Sequence, residues 1–104
     1  MGKAMKRLFI SLPITSRPEP TMEERIAEAK KEALIMANVF REEGYEPITP
    51  FDVTKDGMTE AQCIGACITA LLECDCVYFC KYWFNSRGCR IEKYVSMEHN
   101  IVII

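Results

Sequence analysis

The stretch Val77-Tyr78-Phe79-Cys80-Lys81-Tyr82-Trp83-Phe84-Asn85-Ser86-Arg87-Gly88-Cys89-Arg90-Ile91-Glu92 joins a short apolar run to a helix-like segment through a turn bearing a hydroxyl and a glycine. That order reads as strand, turn, helix opening. Beyond it, Gly88, Ile91, Glu92, Val95 and His99 recur at helical spacing, and Ile91 and Val95 make their shared face the apolar one. A carboxylate on such a face must find hydrogen-bond donors, or burial raises its pKa. Either outcome suits a nucleophile or a proton-transfer group. The alternative for Glu92 is the edge of the stripe, solvated or salt-bridged to Lys93 or Lys81.

Upstream, Leu8-Phe9-Ile10 is a strand candidate that leaves through Ser11-Leu12-Pro13-Ile14-Thr15. Prolines 13, 18 and 20 keep this loop, as far as Pro20, out of helix and sheet interiors. Thr21-x-x-Glu24 is a capping box. The helix after it carries Ile26, Ala29, Ala33, Ala37 and Phe40 on one stripe and stops at Gly44. Tyr45 to Ile48 is a second strand closed by prolines, and Thr49 to Met58 is a loop with Asp52, Asp56 and Gly57. Thr59-x-x-Gln62 opens another helix, with Ile64, Gly65, Ile68, Leu71 and Leu72 as its buried stripe. Asp75 to Cys80 is a third strand, Arg87 to Glu98 a third helix. Ile101-Val102-Ile103-Ile104 is a final strand whose unbroken apolar character suits cover on both faces.

Alternation of strand and helix implies a parallel sheet between helix layers. The expected fold is a three-layer, doubly wound, flavodoxin- or Rossmann-like α/β domain spanning residues 1–104, with about four strands in the order 2-1-3-4. In such sheets ligands bind beyond the carboxyl ends of the strands, where the winding reverses. Here that point lies between strands 1 and 3. The loops Ser11 to Ser16, Thr49 to Met58 and Lys81 to Gly88 meet there.

That rim supplies the candidates. The start of the third helix presents unpaired N–H groups, so Ser86, Arg87 and Gly88 can receive an anion such as a 5′-phosphate; Asn85 or Ser86 as a plain N-cap is the competing role. Ser11, Pro13 and Thr15 border the first loop, where a turn role competes with contact to a sugar or phosphate. Asp52 is the secondary acidic candidate. Tyr82 and Trp83 can stack on a base or form a subunit contact. Asp75 opens a strand at the far end of the sheet, and His99 suits a cationic helix C-cap.

Composition excludes several classes. A formal net charge of −2 gives no basic footprint for a nucleic-acid polymer, and no apolar run reaches membrane-spanning length. The basic start, Met1 to Arg7, precedes an apolar stretch too short for a signal peptide, and position 6 lacks the Ser or Thr of a myristoylation motif. A cytoplasmic protein is expected, so Cys63, Cys67, Cys74, Cys76, Cys80 and Cys89 read as reduced, largely buried thiols rather than a zinc site. No metal or cofactor is expected.

These residues resemble a known group. Phe9-Ile10-Ser11-Leu12-Pro13-Ile14-Thr15 is similar to the Y-I-S-G-P-I-T opening of nucleoside 2-deoxyribosyltransferase-like domains, closest to their small bacterial and phage members. Gly44-Tyr45-Glu46-Pro47-Ile48-Thr49-Pro50 resembles their second strand. Leu71-Leu72-Glu73-Cys74-Asp75, with Trp83, Ser86, Gly88 and Glu92 after it, resembles their L-x-x-C-D…W-x-x-S-x-G-x-x-x-E signature. The resemblance covers nearly the whole chain. It implies Glu92 as a nucleophile toward C1′ of a nucleoside or nucleoside 5′-monophosphate, in deoxyribosyl transfer or N-hydrolysis, with a homodimer or higher homo-oligomer as partner. Ser86 matches the N-hydrolases, whose serines bind the 5′-phosphate. Three positions depart from the pattern: Phe9 for tyrosine, Leu12 for glycine, and Cys67 for an aspartate used in base recognition. They leave open a catalytically inactive nucleotide-binding module. A self-associating structural protein with Tyr82-Trp83-Phe84 as its contact is the third alternative.

Overall fold

A computed structural model describes residues 5–104; the first four residues of the basic Met1 to Arg7 segment lie outside the described residues. The elements run β1 (Lys6–Ser11), α1 (Met22–Glu42), β2 (Tyr45–Ile48), α2 (Pro50–Val53), α3 (Glu60–Leu72), β3 (Cys76–Phe79), a 3-10 turn (Trp83–Asn85), α4 (Arg87–Glu98) and β4 (Val102–Ile103). The four strands form one sheet in the order β2-β1-β3-β4, and every pairing is parallel. The crossovers between strands run through helices, as parallel pairing requires.

Side chains alternate across β1 and divide the core in two. Leu8 and Ile10 face α1 and meet Ala29, Ala33, Ala37 and Phe40. Phe9 faces the opposite way, with Val77, and meets Cys67, Ala70 and Leu71 of α3 and Val95 of α4. The small alanines let α1 lie close to the sheet. Its start is fixed by Thr21, whose hydroxyl accepts from the Glu24 N–H at 3.1 Å. Its end is fixed by Gly44 at φ +93°, a conformation that favours glycine. In α3 the capping box is reciprocal: Gln62 N–H donates to Thr59 Oγ1 at 3.1 Å and Thr59 N–H to Gln62 Oε1 at 2.8 Å.

Four expectations need correction. Thr49 to Met58 is not all loop: Pro50 starts the helical turn α2, since proline suits a first helical position. The buried side of α3 is Cys67, Ala70 and Leu71, while Gly65 and Leu72 are exposed. Thiols act as small apolar side chains and rotate the stripe toward themselves. On α4 the buried residues are Cys89, Glu92 and Ser96, with Ile91 and Val95 half-buried and His99 exposed. The last strand is not covered on both faces: Val102, Ile103 and Ile104 are 60%, 40% and 44% exposed. It pairs only with β3, at the sheet edge, and of this tetrapeptide Ile101 alone packs against the core.

At the amino end of the sheet, Asp75 ties β3 to β1. Arg7 N–H donates to its Oδ2 at 2.8 Å and its own N–H donates to the Arg7 carbonyl at 2.9 Å. No helix among the described residues is long and apolar enough to cross a membrane.

Candidate functional site

At the carboxyl end of β1 the pleat turns Ser11 to the α3/α4 side, and the residue is fully buried. The second turn of α4 brings Glu92 to the same place. The Ser11 hydroxyl donates to Glu92 Oε1 at 2.5 Å, across 81 residues of sequence. Glu92 is 6% exposed. None of the ion pairs among the described residues involves it. Lys93, one of the two cations weighed as its partner, instead lies over the rings of Trp83 and Phe79, with Nζ 4.8 Å and 5.4 Å from their centroids. Lys81, the other, lies over Tyr82 at 5.1 Å. Burial therefore pushes the Glu92 carboxyl up to about 7, against the downward pull of the Ser11 hydrogen bond. Ser96, one turn further along α4 and fully buried, donates its hydroxyl to the Glu92 carbonyl at 2.7 Å, so that hydroxyl is itself paired.

Above Glu92 opens a pocket of about 570 Å³. It lies where the winding of the sheet reverses, between the exits of β1 and β3. Leu12, Ile14 and Thr15 form one wall, Pro50, Thr54 and Met58 a second, and Glu60, Cys63, Ile64 and Cys67 of α3 a third. Ser86, Arg87, Gly88 and Cys89 close it from the start of α4, and Met22 caps it. The loop after β1 is held by two arginines. Arg17 Nε donates to the Pro13 carbonyl at 2.7 Å while its guanidinium pairs with Glu32 of α1. Arg25 Nε donates to the Glu19 carbonyl at 2.7 Å and its Nη1 to the Thr15 carbonyl at 3.3 Å.

The candidates separate cleanly by position. Glu92, Ser86, Arg87 and Gly88 line the pocket, and Ser11 acts through Glu92 from behind. Pro13 is not among the lining residues; its carbonyl serves the loop. Asp52 lies elsewhere: its Oδ2 accepts from the Thr49 N–H at 2.8 Å, which caps α2. It borders a separate depression of about 330 Å³ with Lys30, Arg41 and Phe51. Trp83 packs on Phe79, ring centroids 5.5 Å apart, outside the pocket. Ser86 both lines the pocket and caps α4, its Oγ accepting from the Cys89 N–H at 3.3 Å.

Three thiols also stand on the walls: Cys67, which the resemblance sets at a base-recognition position, and Cys63 and Cys89, to which the sequence reading gave no part in the site. Cys89 sits one helical turn before Glu92, a spacing that puts the two on one face and is legible in the sequence. Burial raises its thiol, while the Ser11 and Ser86 side chains pull it down. Cys67 is pushed up to about 12 by burial first and by the Glu92 charge second. Cys63 is half-buried. All six cysteines are free, and no set of three His, Cys, Asp or Glu among the described residues is placed to hold a metal ion.

Chemically, the pocket offers one buried carboxylate with a single hydroxyl donor behind it and a helix start at its side. Removing that donor has a defined consequence. Ser11→Ala leaves a buried carboxylate without its hydrogen bond, and such bonds to charged groups are worth about 1.5–3 kcal/mol. The Glu92 carboxyl is then expected to titrate still higher. Any activity that needs the carboxylate should fall about tenfold or more at pH 7 and recover as pH rises, since each 1.4 kcal/mol is about tenfold; a pH–rate profile of the variant reads this directly.

A family model described as a domain of unknown function, DUF4406, matches residues 6–104. No curated protein matches the chain. The match spans the whole sheet, every helix and the pocket, so the chain belongs to the DUF4406 family.

Proposed function

We propose that the protein cleaves, or transfers the sugar of, the N-glycosidic bond of a nucleoside or nucleoside 5′-monophosphate, with Glu92 as the nucleophile. The observation that carries this reading is the Glu92 carboxylate itself: buried, without a cation partner among the described residues, backed by Ser11 at 2.5 Å and open to a pocket of about 570 Å³. A carboxylate left in that state without a structural ion pair has a use other than stability. Its attack on the anomeric carbon forms a glycosyl ester as the bond to the base nitrogen breaks. Water or a second base then opens the ester, as in retaining glycosidases. The sequence resemblance to nucleoside 2-deoxyribosyltransferase-like domains supports the same chemistry.

The phosphate end is assigned to the start of α4. The first N–H groups of this 12-residue helix, the Ser86 hydroxyl and the Arg87 guanidinium suit an anion. Gly88 supports the assignment. A Cβ there would meet no protein atom closer than Ser86 Oγ at 3.9 Å, so the protein's own packing does not require glycine. The space it leaves belongs to the pocket. Gly88→Ala is expected to raise stability by up to about 0.5 kcal/mol, less than the mid-helix gain because Gly88 is the second residue of α4. Its methyl group should at the same time weaken nucleotide binding. A thermal melt with and without a nucleoside monophosphate checks both effects in one experiment.

The direct test is release of free base from the common ribo- and deoxyribonucleoside monophosphates, measured by chromatography. Release that is absent from Glu92→Gln supports the reading. Absence of release from every nucleotide offered, common or modified, removes it.

A further inference from the structure

The walls of the pocket bear on the leaving group. When an ordinary nucleotide loses its base, negative charge builds on the departing ring, and a placed acid relieves it with a proton. Among the described residues, the groups around this pocket do not include one suited to that task. Glu92 is engaged at the anomeric carbon. Cys67 faces the pocket from α3 with a thiol raised to about 12, and Cys89 is raised as well, so both hold their protons tightly. Glu60 stands at the rim, three-quarters exposed, 3.8 Å from Arg87. Ile14, Met22, Met58 and Ile64 have no proton to give. His99 caps the far end of α4.

A second observation concerns charge. Glu92 Oε1 accepts from Ser11, while Oε2 takes no hydrogen bond from any described residue, and no cation among the described residues pairs with the carboxylate. A buried anion of this kind favours a cationic ligand, because an opposite charge offsets the cost of desolvation. Polarisable methionine and cysteine walls accept a flat ring beside it.

We propose that the preferred substrate is a cationic N-glycoside, a sugar whose anomeric carbon is bonded to a nitrogen of a positively charged ring, as in a pyridinium nucleotide or the imidazolium ring of an N7-alkylpurine nucleotide. The inference rests on Glu92 being the nucleophile. In the first step Glu92 bonds to C1′ as the C1′–N bond breaks. The bonding electron pair returns to the ring and cancels its positive charge, so a neutral base leaves and no acid is needed. Water then attacks C1′, the carboxylate is regenerated, and the proton of the water passes to solvent. The positive ring also favours the ionised form of Glu92 on binding, so the substrate itself brings the nucleophile into its reactive state.

The test compares N7-methylguanosine 5′-monophosphate with guanosine 5′-monophosphate, which differ by a methyl group and a charge, and adds nicotinamide mononucleotide as a pyridinium probe. Base release is measured with the full chain at about pH 6.5, where the methylated guanine is mostly cationic and part of Glu92 is ionised, against Glu92→Gln and against buffer. General acids contribute about 100- to 10,000-fold, so kcat/KM for the methylated nucleotide is expected to exceed that for guanosine monophosphate at least about 100-fold, with nicotinamide also released. A ratio below this, or inert nicotinamide mononucleotide, overturns the inference and leaves Glu92 as the nucleophile. If neither the charged nor the common nucleotides are cleaved, the nucleophile assignment falls, and this inference with it.

Discussion

Glu92→Gln is expected to lower N-glycosidic cleavage by at least about 1,000-fold while the fold persists, because the step it removes is bond formation to C1′ and an amide is a poor nucleophile. The substitution is nearly isosteric. The amide oxygen can still accept from Ser11, so the 2.5 Å contact has a successor and the site is not left with an unpaired hydroxyl. The loss should appear in kcat, with binding of a nucleotide retained, since the proposed anion site, Ser86, Arg87 and Gly88 on another wall of the pocket, is untouched. In the unsubstituted chain the rate should track the ionised form of Glu92. With the carboxyl raised to about 7, kcat/KM is expected to climb through neutrality and level off above it. A profile that is flat across neutrality would argue against Glu92 as the group that titrates.

Why Glu92 was visible in the sequence, and the rest of the pocket less so, has a physical explanation. Strand order came from alternation and handedness, which depend on few residues. Glu92 stood out because a charge among Ile91 and Val95 breaks a pattern. The details of burial were harder to read. On α3 and α4 the inward positions include Cys67, Cys89 and Ser96, small side chains that hydropathy ranks below Ile68, Ile91 and Val95 near them. Packing selected them because the sheet lies close. The edge position of β4 could not be read from Ile101 to Ile104 alone, since an apolar tetrapeptide looks the same buried or bare. Asp52 shows the reverse problem. A carboxylate in a rim loop looks available until the Thr49 N–H is seen to occupy it. The Ser11–Glu92 contact joins two segments 81 residues apart, and no local pattern announces it.

Keeping an unpaired carboxyl in the protein interior should also leave a mark on stability. At low pH Glu92 is protonated in both folded and unfolded chains. As pH rises past the ordinary glutamate value of 4.5, the unfolded chain ionises first, because the folded carboxyl holds its proton until about 7. The unfolded state is favoured throughout that interval, so stability present below pH 4.5 is lost by the time pH passes 7. At about 1.36 kcal/mol per pH unit the loss comes to roughly 3 kcal/mol. Glu92→Gln has no proton to release. Denaturant titrations of both proteins at about pH 4 and about pH 8 should therefore nearly coincide at the lower pH and separate at the higher, with the variant more stable by roughly that amount. Other titrating groups cancel in the difference. A variant no more stable than the parent at the higher pH would mean that the folded carboxyl ionises freely. A variant that gains stability while losing cleavage would show the two properties opposed at one side chain, as expected where a destabilising charge is retained for chemistry.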